Sequence, residues 1–286
     1  MKYFVPSKTF LTGEYSVLVG GAALGLATLP SFEISYSDNQ INANFHKLSP
    51  AGRYFEKKGQ DINLQFYDPY VAKGIKGGFG KSTAEYLSVV IPDLKKNKKS
   101  LAQIHQDFMS LYQNEKVKPS GVDLLIQLLG KVAYVDVQQQ KFESLDWNFK
   151  QLQFFVISTG LKIQTHDHLD TLDLKKLKDL PGVSDQVIQN YFKKSAENFI
   201  VSLNEWSRAL KSLHLIHCDA VEFKEQILKV PGVIAAKACG ALGADVLLAF
   251  CHSEESDEVE AHLRKRKIKI QAKSNELMEG LFNVVG

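Results

Sequence analysis

The chain has 286 residues, of which 44% are apolar and 23% charged, with a formal net charge of +3 and a pI near 8.5. These values are typical of a soluble globular protein. They exclude a typical nucleic-acid-binding protein, which carries a clustered basic face and a pI above ~9. The length suits two lobes around a cleft, because a single hydrophobic core stops growing near this size. The mild basicity suits an anionic small-molecule substrate.

The cysteines and the apolar segments indicate the environment of the protein. Its three cysteines have neither CxxC spacing nor the density of a secreted disulfide scaffold. The apolar run 17–29 contains glycines and is shorter than the ~20 residues that a membrane-spanning helix needs. We therefore expect a cytoplasmic protein with reduced thiols, with no membrane or nucleic-acid partner, that is a monomer or a homodimer.

Residue periodicity predicts an α+β fold with two regions. In the first region, alternating patterns predict strands at 3–5, 33–36, 41–45, 63–66, 132–137 and 152–158. Helical periodicity in the same region predicts helices at 82–90, 101–113 and 121–129. Beyond residue 160, the patterns predict one long helix at 185–215, helices at 220–229 and 254–265, and strands at 245–250 and 268–271. We expect an N-terminal domain at 1–155 and a C-terminal domain at 156–286.

The segment Gly77–Thr83 has three glycines in four positions and leads directly into a predicted helix. Glycine permits positive φ and a close approach of the backbone to a ligand, and a helix N-terminus carries about half a positive charge. The segment therefore predicts a phosphate-binding loop. Its candidate nucleotide-binding residues are Gly77, Gly78, Gly80, Lys81, Ser82 and Thr83.

Two kinds of fold use such a loop. A P-loop ATPase of the partitioning type has a similar Lys-Gly-Gly-x-Gly-Lys-Ser-Thr run, but Ile75 stands where the ordinary spacing requires the first glycine. A P-loop should also follow the first strand of a parallel sheet, whereas about seventy β-rich residues precede this loop. This alternative stays open at this point, as does a nucleotide-binding protein without turnover.

Five motifs, in order, resemble the GHMP kinase superfamily, named for galactose, homoserine, mevalonate and phosphomevalonate kinases. They span nearly the whole chain and lie at 6–24, 78–84, 119–123, 158–165 and 237–245. The resemblance implies a two-lobed α+β fold, with a β-rich N-terminal lobe that carries the glycine loop and helices, and a ferredoxin-like C-terminal lobe. It also implies ATP and Mg²⁺ as cofactors.

The resemblance further implies roles for single residues. Asp123 is the catalytic carboxylate near the acceptor oxygen, and Lys8 lies close enough to keep it ionised and to neutralise the transferred group. Ser82 is a magnesium ligand, with Glu115 as a candidate second one. Lys81 replaces a serine of the family pattern, and its ammonium is expected to assist charge neutralisation. The substrate-binding candidates are Glu14, Tyr15, Ser120, Thr165, Lys237, Gly240 and Ala241.

The expected acceptor is phosphomevalonate, with mevalonate as the alternative. Gly13–Glu14–Tyr15 is similar to phosphomevalonate kinases, whereas mevalonate kinases tend to read Gly-Glu-His, and Gly243–Ala244–Asp245 favours the same choice. A phosphate acceptor is already ionised near pH 7, so Asp123 would then position it without acting as a base. Leu242 replaces a family glycine, and we expect it to adopt negative φ and to stiffen its loop.

Overall fold

The computed structural model describes residues 1–36, 45–58, 63–71, 73–75, 77–115, 118–161 and 172–285. The strand predicted at 41–45 lies almost entirely outside these residues. No helix in the described part of the chain is long and apolar enough to cross a membrane.

The first sheet is antiparallel throughout and has five strands. β1 (Lys2–Thr12) pairs with the long strand β2 (Ala23–Tyr36), whose two halves pair with β3 (Leu64–Tyr67) and β4 (Val132–Asp136). β5 (Lys141–Leu145) completes the sheet beside β4. A P-loop ATPase requires a parallel sheet at its glycine loop, so the antiparallel pairing rules that alternative out.

Four helices accompany this sheet: α1 (Pro50–Lys58), α2 (Lys81–Lys96), α3 (Leu101–Met109) and α4 (Val122–Leu129). Helix α2 is about two turns longer than predicted, and a short 3₁₀ turn at Ser110–Tyr112 follows α3. Helix α4 is apolar on almost every side and contacts α2, β1 and β2. Such a helix can be stable only inside the core, and Asp123 is its single charged residue.

The second sheet has the strand order β7-β8-β6-β9 and is also antiparallel. Its strands are β6 (Leu152–Ser158), β7 (Val233–Cys239), β8 (Val246–His252) and β9 (Lys269–Lys273). The helices α5 (Leu180–Phe192), α6 (Ala196–Ser212) and α7 (Cys218–Leu228) connect β6 to β7, and α8 (Ser256–Lys265) connects β8 to β9. This order confirms the ferredoxin-like lobe. Strand β7 is an addition to the predicted elements.

The single helix predicted at 185–215 is wrong, because the structure has two helices there. Helix α5 ends at Phe192, and α6 begins at Ala196 after Lys194, which adopts φ 55° in the left-handed region. The apolar period continues across the break because Tyr191 and Phe199 on either side of it are both buried in the same core.

The end of the chain packs against the first sheet. After β9, Leu277 bridges to Thr28, Glu279 bridges to Gly130, and α9 (Phe282–Val285) contacts α4. One cluster of buried apolar side chains also runs through both sheets. The change from the first sheet to the second falls between β5 and β6, whereas the predicted division at 155/156 lies within β6, and residues 277–285 pack back against the first sheet.

Candidate functional site

Lys8 and Asp123 form an ion pair at the junction of β1 and α4. The Nζ of Lys8 lies 3.0 Å from Oδ2 of Asp123. The lysine side chain is 8% exposed, whereas the aspartate side chain is 36% exposed. The backbone N–H of Lys8 donates to the carbonyl of Phe79 at 3.0 Å, which joins β1 to the glycine loop. The pair therefore has a fixed cation and a carboxylate that a ligand can reach.

The turn before α4 fixes the position of Asp123. Gly121 caps the helix at φ 71°, and a Cβ there would lie 2.7 Å from the ring of His105. The Nε2 of His105 and the carbonyl oxygen of Ser120 are 2.8 Å apart, at hydrogen-bond distance. Only glycine meets both the conformational and the steric requirement. Asp123 consequently occupies the first helical turn, where the helix dipole favours a carboxylate.

A cavity of about 270 Å³ opens at this pair. The N-terminal turns of α2 and α4 both contribute to its wall, through Ser82 and Gly121. Helix N-termini present free N–H groups and a partial positive charge, so the wall favours an anionic ligand. Of the predicted site residues, the cavity is lined by Lys8, Glu14, Tyr15, Ser82, Thr83, Ser120, Asp123 and Gly240.

The glycine loop has the backbone conformation that its glycines permit. Gly77, Gly78 and Gly80 have φ between 80° and 84°, and Gly80 caps α2. The buried amide of Gln127 donates to the carbonyls of Pro6 at 2.9 Å and Gly80 at 3.1 Å. Gln127 thereby ties the loop to β1. The only sequence signal for it is that Gln127 and Asp123 are the two polar residues of an otherwise apolar helix.

Two predicted loop side chains contact protein groups. The Thr83 hydroxyl lies 2.7 Å from Oε1 of Gln127 and 3.0 Å from the Gly80 carbonyl, so it belongs to the hydrogen bonds that hold the loop. The Lys81 ammonium lies 3.2 Å from Asp68, and this side chain does not line the 270 Å³ cavity. Ser82 is exposed and faces the cavity.

Glu115 lies apart from the other predicted metal ligand. Its carboxylate accepts a hydrogen bond from Nη2 of Arg53 at 2.7 Å, and it does not line the cavity to which Ser82 contributes. Thr165 lies outside the described residues. Ala241 begins the short turn Ala241–Gly243.

Glu14 and Lys237 form a second ion pair, which is buried. Lys237 is fully buried and donates to Glu14, to the carbonyl of Phe10 at 3.2 Å and to Cys239 at 3.4 Å. Burial opposes the charged form, but Cys239 and Glu14 together raise the pKa of Lys237 above its ordinary value. Trp206 donates to the other carboxylate oxygen of Glu14 at 3.3 Å. All three ammonium hydrogens therefore have partners within the protein.

The expectation of negative φ at Leu242 is wrong, because this residue has φ 54°. Its N–H donates to the Tyr15 hydroxyl at 2.8 Å, and its carbonyl accepts from the N–H of His217 at 2.8 Å. These two hydrogen bonds offset the cost of a left-handed leucine. Burial raises the pKa of Tyr15 to about 12, although the Leu242 hydrogen bond opposes this, and the phenol is neutral at physiological pH.

A larger cavity of about 540 Å³ lies beside the first one, and the two share no lining residue. Gly74 and Ile75, just before the glycine loop, form part of its wall, and Thr159 and Asp245 come from the second sheet. The wall also carries four cationic residues, Lys229, Arg266, Lys267 and Lys269. This volume is in the range of small-molecule sites, and the cationic wall favours an anionic ligand.

No protein-family model matches the sequence, and no curated protein matches it. Solved structures do match. The Streptococcus pneumoniae phosphomevalonate kinase, in complex with phosphomevalonate and AMPPNP, has a TM-score of 0.71 at 15% identity, over 96% of this chain and 99% of its own. The Methanococcus jannaschii mevalonate kinase has a TM-score of 0.68 at 17% identity, over 98% of both chains.

A homoserine kinase from Cytophaga hutchinsonii has a TM-score of 0.63 at 15% identity, over 98% of this chain and 96% of its own. The three proteins act on different acceptors, and all are members of the GHMP kinase superfamily. The chain thus has the GHMP kinase fold, as its five motifs predicted.

Proposed function

We propose that this protein is an ATP-dependent kinase that phosphorylates a small anionic metabolite, with phosphomevalonate as the favoured acceptor. The observation that carries the proposal is the Lys8–Asp123 pair, 3.0 Å apart, at a cavity beside a glycine loop. Phosphoryl transfer requires positioning and charge neutralisation rather than covalent chemistry by the protein. A buried ammonium and a reachable carboxylate supply both.

In the proposed reaction, an oxygen of the acceptor attacks the γ-phosphorus of ATP, the bond to the β-phosphate oxygen breaks, and ADP leaves. Lys8 offsets the negative charge on the transferred group. Asp123 orients the acceptor oxygen and takes its proton when that oxygen belongs to a hydroxyl group. A phosphate acceptor has no proton to lose at neutral pH, so Asp123 then serves for positioning alone.

The residues around the loop suit ATP and a divalent cation. The loop glycines have φ near 80°, and backbone N–H groups of such a loop can donate hydrogen bonds to phosphate oxygens. The exposed Ser82 at the start of α2 offers a hydroxyl oxygen to Mg²⁺. We infer that residues 77–83 hold the nucleotide phosphates and that Ser82 contributes to the metal site. A bound Mg²⁺ would neutralise part of the phosphate charge.

Two observations support a phosphorylated acceptor. The wall of the 270 Å³ cavity carries two helix N-termini and Lys8, which together favour an anion. Tyr15 is the residue that the motif of phosphomevalonate kinases has at this position, and its hydroxyl holds the turn at Leu242. Mevalonate remains the second candidate, because the Asp123 carboxylate, whose side chain is 36% exposed, is also suited to accept a hydroxyl proton.

The test is an ADP-release assay with mevalonate, mevalonate 5-phosphate, homoserine and galactose in parallel, at saturating ATP and Mg²⁺. We expect the largest kcat/KM with mevalonate 5-phosphate. A larger value with mevalonate would reassign the acceptor and the role of Asp123 as a base. If AMPPNP binds but none of the four is phosphorylated, the (phospho)mevalonate proposal is contradicted, and a nucleotide-binding protein without turnover becomes the better account.

A further inference from the structure

Asp245 has a carboxylate at the meeting point of the two glycine-rich segments. A Cβ added to Gly77 would lie 2.8 Å from its Oδ1, and a Cβ added to Gly78 would lie 2.3 Å from its own Cβ. A Cβ on Gly240 would lie 3.4 Å from its Oδ2. The backbone of Asp245 is fixed by the N–H of Thr159, which donates to its carbonyl at 3.2 Å. The carboxylate is therefore held against the loop that binds phosphates in the proposed function.

This carboxylate has no hydrogen-bond or ion-pair partner among the residues that the structure describes. Burial raises the pKa of Asp245, and the charge of Lys8 opposes that rise. A partly buried carboxylate without a partner is costly to keep. A bound cation would satisfy it.

The negative charge of the Asp245 carboxylate is incompatible with nucleotide phosphates bound at the loop without a cation. A carboxylate next to a polyphosphate repels it, and the repulsion is strong where water is partly excluded. A divalent cation between the two groups turns the repulsion into attraction, since Mg²⁺ is commonly bound by one or two carboxylates together with phosphate oxygens and waters. Glu115, the expected carboxylate ligand, is instead held by Arg53.

We propose that Asp245 is a ligand of the divalent cation that accompanies the nucleotide, and that it delivers this ligand from the second lobe to the glycine loop. The proposal rests on the proposed function in that it takes the bound anion to be a nucleotide. It assigns the metal-binding role to a residue outside the predicted ligand pair, which lines the 540 Å³ cavity and lies against Gly77 and Gly78.

The experiment measures Mn²⁺ binding by electron paramagnetic resonance in the presence of saturating AMPPNP, for wild type, Asp245→Asn and Glu115→Gln. We expect Asp245→Asn to weaken Mn²⁺ binding at least tenfold and Glu115→Gln to leave it unchanged. A second arm measures AMPPNP binding in EDTA, where Asp245→Asn should bind at least as tightly as wild type, because only the repulsion is removed.

Unchanged Mn²⁺ affinity in Asp245→Asn would overturn the proposal, as would the tenfold loss appearing in Glu115→Gln instead. An equal loss of AMPPNP affinity with and without metal would also overturn it, since that pattern indicates a damaged loop. Asp245→Glu keeps the charge and should retain part of the Mn²⁺ affinity. Because both binding measurements are independent of turnover, they test the Asp245 assignment even if none of the four acceptors is phosphorylated.

Discussion

Two lysine–carboxylate pairs, one with a residue of β1 and the other with a residue just after β1, have opposite surroundings. Lys8 and Asp123 meet at a cavity, with the carboxylate side chain 36% exposed. Glu14 and Lys237 meet where β1 passes β7, with the carboxylate side chain 6% and the lysine 0% exposed. The first pair can change partners when a ligand enters. In the second pair every ammonium hydrogen has a partner within the protein, and both side chains are almost fully buried, although Glu14 also contributes to the wall of the 270 Å³ cavity.

The comparison teaches that charge type alone does not separate a reactive pair from a structural one. A buried pair is costly to break, because removal of one partner leaves an uncompensated charge in a low-dielectric interior. Breaking an ion pair at a cavity rim costs little folding free energy, but it removes the contribution of the pair to the reaction. The following substitutions test this contrast.

The largest expected effect on stability is that of Lys237→Met. This change leaves the Glu14 carboxylate buried without its cation, and we expect a loss of about 3–5 kcal/mol in the free energy of unfolding. Urea denaturation followed by circular dichroism measures it. The double variant Glu14→Gln with Lys237→Met removes both charges and should recover most of the loss. A single-variant loss below about 1 kcal/mol would show that the pair is not a structural element.

Lys8→Met is the matched substitution in the open pair. Loss of the ammonium removes charge neutralisation at the transferred group, and we expect kcat to fall by roughly 10²–10³. The free energy of unfolding should change by about 1 kcal/mol or less, since Asp123 remains solvated. Steady-state ADP release and urea denaturation on the same preparation give both numbers. Equal stability losses in Lys8→Met and Lys237→Met would remove the contrast between the pairs.

Thr83→Val tests the hydrogen bonds that hold the glycine loop, and its expected effect is smaller than the stability loss in Lys237→Met and the kcat loss in Lys8→Met. Its hydroxyl lies 2.7 Å from Oε1 of the buried Gln127, so the variant leaves this oxygen without a donor, whereas the Gly80 carbonyl still accepts from the Gln127 amide. We expect a loss of about 1–2 kcal/mol in the free energy of unfolding. Thr83→Ser, which keeps the hydroxyl, is the control. If Thr83→Val has wild-type stability, then these hydrogen bonds do not support the loop.

Much of the fold follows from the sequence, because its signals are local. Each of these signals spans only a few residues, as in the glycines of the loop, the apolar helix after Gly121 and the alternating strands. Strand β7 was missed because Ala235, Ala236 and Ala238 have low strand propensity and Lys237 interrupts the apolar pattern. The break at Lys194 was missed because the apolar period continues on both sides of it.

The site was less predictable because its decisive contacts join distant residues. Glu115 is held by Arg53, 62 positions away, and Lys237 is held by Glu14, 223 positions away. No local pattern shows which carboxylate a lysine will meet or how deeply the pair will be buried. The left-handed Leu242 likewise depends on Tyr15, 227 positions away. Such contacts become visible only when the two lobes are packed together in the folded structure.

The most direct test of the central assignment is the turnover of Asp123→Asn at saturating ATP and Mg²⁺, with the acceptor that the panel identifies. Asparagine keeps the shape of the side chain and removes the charge that Lys8 holds 3.0 Å away. We predict that kcat falls by at least roughly 10²-fold, while AMPPNP binds with unchanged affinity. Wild-type turnover in Asp123→Asn would contradict the account, because the open ion pair would then have no part in the reaction.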